Sequence, residues 1–201
     1  IQHSAITEHD ILAVGYKDGR VNLFKLLSTI NFSTHDFDIN KSKLCNTLFY
    51  QNQKINDIKW YDYNVHVIDD RLVRLFATAS NDRTVRVFSY SVSINAEVET
   101  SMNDTQQPLL KKISEFATFV GHQKPVVKLA WHPNKQDVLL ASASKDGTAN
   151  VWDVLKREPL ANCRGGHGAA LKCIVWSTIN QCMLYTGSDD QSVIVWDIYN
   201  Q

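Results

Sequence analysis

Residues 145–154, KDGTANVWDV, decide the fold of this chain, because a close variant returns at residues 189–198 as DDQSVIVWDI. In each copy an aspartate precedes a tryptophan by six residues, and Asp190 and Trp196 follow Asp146 and Trp152 by 44 residues. A period in the range of about 20–50 residues is typical of repeat proteins, in which each unit buries its apolar face against the next. The stretch therefore predicts a repeated structural unit.

Two weaker copies of the pattern precede these. Asp82 lies six residues before Phe88, and Asp18 lies six residues before Phe24. Each of these earlier steps is 64 residues long, and the 20 additional residues fall in polar segments that we predict to be surface loops. The predicted loops span residues 28–42 and 91–110. The predicted units span about residues 1–42, 43–110, 111–156 and 157–201.

Each unit contains short apolar and aromatic runs separated by turn residues. In the third unit these runs are VVKLAW at 126–131, VLLASAS at 138–144 and TANVWDV at 148–154, and a fourth run, EPLANC at 158–163, follows just before the next Gly-His pair. Runs of this length and composition favour strands, and the Gly, Asn, Asp and Pro residues between them favour tight turns. Because no segment shows a sustained helical period, we predict an all-β fold built from four-stranded antiparallel units.

The composition excludes several classes of protein. The chain has 201 residues, of which 44% are hydrophobic and 21% charged, as in globular proteins, and 21 basic residues balance 21 acidic ones. No apolar run approaches the roughly 20 residues of a membrane-spanning helix, so no membrane partner is expected. The four cysteines contain no C-x-x-C pair and the histidines do not cluster, so we predict neither a metal site nor another cofactor.

The third and fourth units resemble WD40 repeats. Each has a Gly-His pair, a strand that ends in Trp, a Ser or Thr four residues before an Asp, and the Trp-Asp phrase. In that family four side chains of one unit join in a hydrogen-bonded tetrad, so that buried polar groups satisfy one another. The resemblance implies a β-propeller with two such tetrads: His122, Ser142, Asp146 and Trp152, and His167, Thr186, Asp190 and Trp196.

The first two units depart from this pattern. Thr78 and Asp82 are present in the second unit, but Phe88 replaces the Trp and no Gly-His pair precedes them. The first unit keeps only Asp18, with Phe24 in the Trp position. We therefore expect both units to lack the tetrad and to be held by packing.

The Ser, His and Asp residues of the tetrads do not indicate catalysis. A nucleophilic triad needs one exposed nucleophile and an oxyanion hole. Here the same set occurs together with a Trp in two units, at a structural period. We therefore expect no enzyme activity.

Residues 139–198 have a more specific resemblance within the WD40 family. They are similar to the last two blades of a pair of tandem seven-bladed propellers, and the connector REPLANCRG at 157–165 is the most distinctive part of the match. The members with this arrangement belong to the survival-of-motor-neuron complex and recognise the Sm site and cap of precursor small nuclear RNA during ribonucleoprotein assembly for splicing. The resemblance implies that this chain is the last four blades of the second propeller, in the cytoplasm and nucleus. It also implies that most Sm-site and cap contacts lie in other blades.

The resemblance also implies what completes the fold. The last unit ends just after its third strand, so we expect this blade to lack its outer strand, which would come from elsewhere in the array. Open sheet edges invite association. The remaining blades of the same propeller array, together with the proteins of the survival-of-motor-neuron complex, are therefore expected partners.

In such propellers the ligand face is formed by the loops before each first strand and between the second and third strands. Cations in these loops suit RNA phosphates, whereas unpaired bases are recognised by stacking and by edge hydrogen bonds. Residues 111–172 carry ten basic residues against five acidic ones. Lys124 is the first candidate because it follows the Gly-His turn. The predicted RNA-binding residues are Lys124, Lys145, Gln123, Arg83, Asn81, Lys54 and Lys17.

Two functions are compatible with the sequence. One is a non-catalytic RNA-binding module of the survival-of-motor-neuron complex that recognises precursor small nuclear RNA. The other is a generic WD40 scaffold that binds protein partners without contacting RNA, since exposed lysines are common on solvated surfaces.

Overall fold

A computed structural model describes residues 3–6, 11–25, 43–48, 50–63, 66–68, 71–93 and 110–200. The described residues form strands joined by turns and loops; no helix occurs among them, and hence none that could cross a membrane. The strands are β1 (His3–Ile6), β2 (Ile11–Gly15), β3 (Val21–Lys25), β4 (Lys43–Leu48), β5 (Ile55–Trp60), β6 (His66–Ile68), β7 (Arg71–Ser80), β8 (Thr84–Ser93), β9 (Leu110–Val120), β10 (Val126–Trp131), β11 (Leu139–Ser144), β12 (Ala149–Asp153), β13 (Glu158–Cys163), β14 (Leu171–Trp176), β15 (Met183–Ser188) and β16 (Val193–Asp197).

The strands assemble into four antiparallel sheets, which we call blades 1 to 4. Blade 1 contains β1–β4, blade 3 contains β10–β13 and blade 4 contains β14–β16, each in sequence order. Blade 2 contains β5, β7, β8 and β9, and the short β6 pairs with β7. This architecture confirms the predicted all-β propeller fragment of four sheets, in which the last sheet has three strands among the described residues.

The blades are offset by one strand from the repeating units of the sequence. The strands β4, β9 and β13 pair with β3, β8 and β12, which are the third strands of blades 1, 2 and 3. The unit boundaries, by contrast, assign these strands to the following unit. The chain therefore completes one blade before it crosses to the first strand of the next.

Most of the two segments predicted as polar loops lies outside the described residues. This holds for all of residues 28–42 and for residues 94–109. At the ends of the second segment, however, residues 91–93 belong to β8 and residue 110 begins β9. The prediction that the loop occupies all of 91–110 is therefore wrong at its ends, because pairing between these long strands continues past Tyr90.

Irregular pairing recurs at equivalent positions and shows that the blades share one backbone plan. The register between first and second strands shifts at Ile55/Asp57, Val126/Lys128 and Leu171/Cys173. The register between third and fourth strands shifts at Leu23/Phe24, Val87/Phe88 and Val151/Trp152. A β-bulge increases the local twist. Blade 2 has both of these bulges and blade 1 has the second, although the sequence motifs of these blades are weaker.

The core lies between neighbouring blades. Separate apolar clusters join blades 1 and 2, blades 2 and 3, and blades 3 and 4. Two indole N–H groups add polar links between first strands: Trp131 donates to the Lys59 carbonyl at 3.0 Å, and Trp176 donates to the Ala130 carbonyl at 3.1 Å. These contacts hold the loops at each end of the blades in a constant relation to one another.

Candidate functional site

Each blade has a tight turn between its second and third strands, and the four turns lie at one end of the propeller, which we call the upper face. In each turn an aspartate carboxylate accepts the N–H of the residue two positions later, at 2.9–3.2 Å. The residue between them has a left-handed backbone, with φ between 68° and 89°. In blades 1 to 4 this residue is Gly19, Arg83, Gly147 and Gln191.

The tetrad residues of blade 3 form one chain of hydrogen bonds beneath its turn. His122 Nδ1 lies 3.2 Å from Asp146 Oδ2, and His122 Nε2 lies 2.8 Å from the Ser142 hydroxyl. The Trp152 indole N–H donates to the same hydroxyl at 2.9 Å. His122, Ser142 and Trp152 are buried, so the network satisfies polar groups that would otherwise be costly to remove from water.

Blade 4 repeats this network with a threonine in place of the serine. His167 Nδ1 lies 2.9 Å from Asp190 Oδ2, and His167 Nε2 lies 2.8 Å from the Thr186 hydroxyl. The Trp196 indole N–H donates to that hydroxyl at 2.8 Å. The structure thus brings together four tetrad residues in each of the two blades.

Hydrogen bonds keep the tetrad carboxylates ionised. Burial alone would raise the pKa of Asp146, but hydrogen bonds, led by that of His122, outweigh this effect and hold the pKa well below its usual range. The pKa of Asp190 is also lowered, chiefly by the hydrogen bond from the Ser192 hydroxyl. The carboxylates are therefore fixed acceptors that join the turn to the loop before the first strand.

Blade 2 keeps a polar network although it lacks the His and the Trp. The Thr78 hydroxyl donates to Gln51 Oε1 at 2.8 Å, and the Gln51 amide donates to the Thr84 hydroxyl at 3.2 Å. Thr84 donates in turn to the Asp82 carboxylate at 2.7 Å. The expectation that packing alone holds this blade is therefore wrong. Gln51 takes the place of the histidine, because an amide also offers both a donor and an acceptor.

The sequence pattern missed Gln51 because its distance from the aspartate is different. Gln51 lies 31 residues before Asp82, whereas His122 lies 24 residues before Asp146. The additional residues fall in the part of blade 2 that contains β6. Counting back from the first strand would have identified it, since Gln51 precedes β5 by four residues, as His122 precedes β10.

The residue before the tetrad histidine is matched to the aromatic residue that it covers. In blade 4 a Cβ on Gly166 would lie 2.8 Å from an atom of the Trp196 indole, and Gly121 is the equivalent residue in blade 3. In blade 2 the smaller Phe88 leaves room, and Tyr50 occupies this position with its ring centroid 5.3 Å from that of Phe88. A Cβ on Gly121 would lie 3.1 Å from the Trp152 indole, so glycine leaves room for the indole in both blades.

Blade 1 keeps the turn aspartate but holds it differently. The Arg20 guanidinium donates to the Asp18 carboxylate at 2.6 Å and lies 5.0 Å from the centre of the Tyr16 ring. The Tyr16 carbonyl accepts the N–H of Ile55 from blade 2 at 3.1 Å. This contact places the next residue, Lys17, beside blade 2.

The predicted RNA-binding residues of blade 2 are joined to blade 3 by hydrogen bonds. The Asn81 N–H donates to the Lys54 carbonyl at 2.9 Å. The Asn56 amide donates both to the Asn81 side chain at 2.8 Å and to the Val126 carbonyl of blade 3 at 2.7 Å. Lys54, Asn81 and the following Arg83 therefore lie next to the start of blade 3.

The predicted residues of blade 3 lie in two loops that are hydrogen-bonded to each other. The Lys145 N–H donates to the Pro125 carbonyl at 3.0 Å, and the Ser144 hydroxyl donates to the Lys124 carbonyl at 2.9 Å. The Gln123 N–H donates to the tetrad carboxylate at 2.8 Å. The fold thus brings the candidates of blades 2 and 3 together on the upper face.

Five cations of the upper face form no ion pair with a carboxylate of the described residues. Four of their side chains are exposed and one is half-buried. In blade 4, by contrast, Lys172 pairs with Asp189 at 3.0 Å. The five unpaired cations lie in turns and loops of blades 1 to 3. These five residues, which we call the basic face, are Lys17, Lys54, Arg83, Lys124 and Lys145.

The tetrads do not have the geometry of a reactive site. The Ser142 and Thr186 hydroxyls are buried and are engaged by a histidine and an indole within their blades. A substrate could not reach them without breaking the blade. Within the part of the chain that the structure describes, no group of three or more His, Cys, Asp or Glu residues could hold a metal ion.

The chain is similar in sequence to known proteins. The family model of the Transcription factor IIIC subunit delta beta-propeller domain matches residues 2–198. Gem-associated protein 5 from Homo sapiens is 32% identical over 186 residues, which are 92% of this chain and 11% of that protein. Denticleless protein homolog A from Xenopus laevis is 30% identical over 123 residues, which are 61% of this chain and 15% of that protein. The chain therefore spans only a small part of the length of these relatives.

A solved structure has the same fold. A chain of the mitotic checkpoint complex superimposes with a TM-score of 0.63 over 98% of this chain and 47% of that chain, at 16% sequence identity. At this identity the likeness concerns the fold alone. The blades, the repeated turns and the family match agree with one another, and the chain belongs to the family of Transcription factor IIIC subunit delta beta-propeller domains as a WD40-type propeller.

Proposed function

We propose that this chain is a non-catalytic RNA-binding module of the survival-of-motor-neuron complex, acting in the cytoplasm and nucleus. In this role it contributes to the recognition of precursor small nuclear RNA for Sm-core assembly, and other blades supply most of the Sm-site and cap contacts. The similarity to Gem-associated protein 5 supports this choice of RNA. The observation that carries the proposal is the basic face.

The basic face suits an RNA backbone for an electrostatic reason. Its five cations lie in loops held by hydrogen bonds and create a local positive field, although the formal net charge of the chain is zero. Each cation that neutralises a phosphate releases counterions, which favours binding and makes it sensitive to salt. The amides of Asn81 and Gln123, on the same face, offer donors and acceptors for base edges.

Charge reversal at Lys124 and Lys145 tests the proposal. A labelled precursor small nuclear RNA fragment that contains the Sm site is titrated with the wild-type chain and with the Lys124→Glu/Lys145→Glu variant at several salt concentrations. We expect weaker binding by the variant. We also expect its plot of log K against log salt to be shallower by about 1.5, since each lost phosphate contact removes about 0.7–0.9 from the slope.

The Lys135→Glu/Lys156→Glu variant is the matched control. Lys135 and Lys156 lie in the β10–β11 and β12–β13 loops, at the end of blade 3 opposite the upper face. The same change in charge there should reduce binding much less. Equal RNA binding by the wild type and the upper-face variant would contradict an RNA-binding role for these blades and would favour the scaffold function.

A second function, the docking of another folded unit, is favoured by the open face of blade 4. Val175 and Val195 are 56% and 53% exposed, and they flank Tyr185 in one cross-strand row. In blade 3 the equivalent row is Ala130, Ala141 and Val151. It packs in the cluster shared with blade 4, with Ala141 and Val151 buried and Ala130 partly buried. We propose that another propeller blade covers blade 4 in the same way.

Self-association of the isolated chain tests this docking face. An exposed apolar sheet face promotes association, so we expect the average mass in sedimentation to rise with protein concentration. Val195→Lys should reduce that rise, whereas Lys135→Glu should not. A wild-type chain that scatters as a compact monomer at every concentration would contradict the proposal.

A further inference from the structure

Blade 2 departs from its neighbours at several positions of the upper face, and the departures lie close together. Where blades 3 and 4 have Gly and His before the first strand, blade 2 has Tyr50 and Gln51, and Phe88 replaces the Trp below them. At the left-handed turn position, where blades 1 and 3 have Gly, blade 2 has Arg83. Since the Gln51 amide donates to the Thr84 hydroxyl at 3.2 Å, Tyr50 and Arg83 flank a single hydrogen bond.

Arg83 occupies a backbone conformation that does not favour arginine. Its φ is 72°, in the region that Gly147 adopts without penalty at the equivalent position of blade 3. The turn itself needs only the N–H of Arg83, which donates to the Ser80 carbonyl at 3.3 Å. The exposed guanidinium forms no hydrogen bond or ion pair with the described residues. A strained residue with an unused charged group points to a role for that group outside the fold.

Tyr50 presents part of its ring to solvent. The side chain is 41% exposed, and the ring rests on Phe88 at an interplanar angle of 52°. The contact with Phe88 holds the Tyr50 ring in place and leaves part of the side chain accessible. An aromatic side chain that is already held in place loses little conformational entropy when a planar ligand stacks on its exposed part.

We infer that Tyr50 and Arg83 form a binding site for one unpaired nucleotide, in which the base stacks on Tyr50 and Arg83 holds an adjacent phosphodiester. Lys54 joins the same site, because its carbonyl accepts the Asn81 N–H of the Arg83 turn. A guanidinium suits a phosphodiester because its planar N–H groups match two phosphate oxygens. This inference rests on the proposed RNA-binding function and assigns the recognition of an unpaired base to blade 2.

The chemistry of the site defines its ligand class. Every base has a π-face, so stacking on Tyr50 accepts any base of a single strand. In a duplex the bases are stacked inside and cannot reach the ring. The site therefore takes single-stranded RNA and contributes little discrimination between bases.

Two substitutions and two probes test the site in the full chain. The probes are a short oligouridylate and an abasic ribose-phosphate strand of the same length. Tyr50→Leu keeps an apolar contact with Phe88 but removes the stacking surface, so we expect about tenfold weaker binding of oligouridylate and unchanged binding of the abasic strand. Arg83→Gly should weaken the binding of both probes about fivefold. Its Tm should not fall, because glycine adopts the left-handed conformation freely.

Two matched variants serve as controls. Gln191 has a φ of 68° in the equivalent turn of blade 4, beside the Lys172–Asp189 pair. Gln191→Gly therefore makes the same backbone change away from the site and should leave binding unchanged. Tyr50→Phe keeps the ring and should bind oligouridylate as the wild type does.

The outcomes separate this site from the proposed function. If Tyr50→Leu and Arg83→Gly bind oligouridylate normally while Lys124→Glu/Lys145→Glu does not, the site is overturned and the function stands. If all variants bind normally, both are overturned. If Tyr50→Leu weakens both probes equally, the ring acts only through the fold and the stacking site is overturned. Tighter binding of polyglutamate than of oligouridylate would identify an acidic protein ligand and would also overturn the site.

Discussion

Blades 2 and 3 share a backbone plan but hold their upper loops with different side chains. In blade 3, His122 bridges the turn carboxylate and the buried Ser142 hydroxyl. In blade 2, Gln51 bridges two hydroxyls, Thr78 and Thr84. The bulges and the left-handed turn residues nevertheless occur at equivalent positions in both blades. Both blades therefore have a satisfied polar bridge above a filled aromatic position, and different residues provide it in each.

The largest expected effect comes from emptying the aromatic position of blade 3. Trp152→Ala removes a ring that stacks on Phe119 at a centroid distance of 5.0 Å and that donates to Ser142. We expect the free energy of unfolding in urea to fall by about 3–5 kcal/mol. Trp152→Phe, which imitates blade 2, should cost less because it keeps the stacked ring. An equal loss in both variants would contradict the equivalence of the two aromatic positions.

The next effect comes from giving blade 2 the aromatic residue of blade 3. Phe88→Trp should lower the free energy of unfolding by about 1–3 kcal/mol, because Tyr50 occupies the space that the larger indole needs. Adding Tyr50→Gly should recover most of this loss. A double-mutant cycle measured in urea gives the coupling between the two positions. Additive effects would show that Tyr50 and Phe88 are not matched.

A smaller effect is expected from the turn carboxylate. Asp146→Asn removes the charge that accepts hydrogen bonds from His122 and from the Gln123 N–H, so we expect the free energy of unfolding to fall by about 1–2 kcal/mol. Asp18→Asn is the control in blade 1, where the exposed carboxylate pairs with Arg20. Its effect on the urea midpoint should be smaller. The opposite order would show that burial of the network does not determine its contribution.

The smallest effect appears only in acid. The pKa of Asp146 is lowered in the folded chain, whereas an unfolded chain titrates its aspartates near about 3.9. The unfolded state therefore takes up this proton first, and the stabilisation present above about pH 4 is lost as the pH falls toward the folded-state pKa. The unfolding free energy of the wild type should decline more steeply in acid than that of Asp146→Asn. Parallel declines would contradict this role of the carboxylate.

The strands could be predicted where the pattern that specifies them lies within a few consecutive residues. The runs at 126–131 and 158–163 coincide with β10 and β13, because apolar runs between turn residues specify strands locally. Gln51 was not predictable by spacing from the aspartate, because blade 2 contains an additional strand between them. The fit of Tyr50 over Phe88 was also missed, since it depends on two residues 38 positions apart in the chain.

On the upper face, too, the sequence predicted where residues lie but not which residues they contact. Strand order predicted that Lys54, Arg83, Lys124 and Lys145 lie in loops at one end of the propeller. Only the structure shows that these cations form no ion pair with the described carboxylates, whereas Lys172 of blade 4 does. The strain at Arg83 likewise appears only in its φ of 72°.

The repeat and the all-β class could be predicted from the sequence alone, because they follow from periods and turn residues within one unit. The tetrads of the last two units were implied by their resemblance to WD40 repeats. The tertiary structure decided which polar residues bridge blade 2, where glycine is required and which cations are unpaired among the described residues. These properties depend on contacts between residues that are distant in sequence. Such contacts do not appear in a single sequence as a constant spacing. Loops and additional strands change the number of residues between the contacting positions without changing the fold.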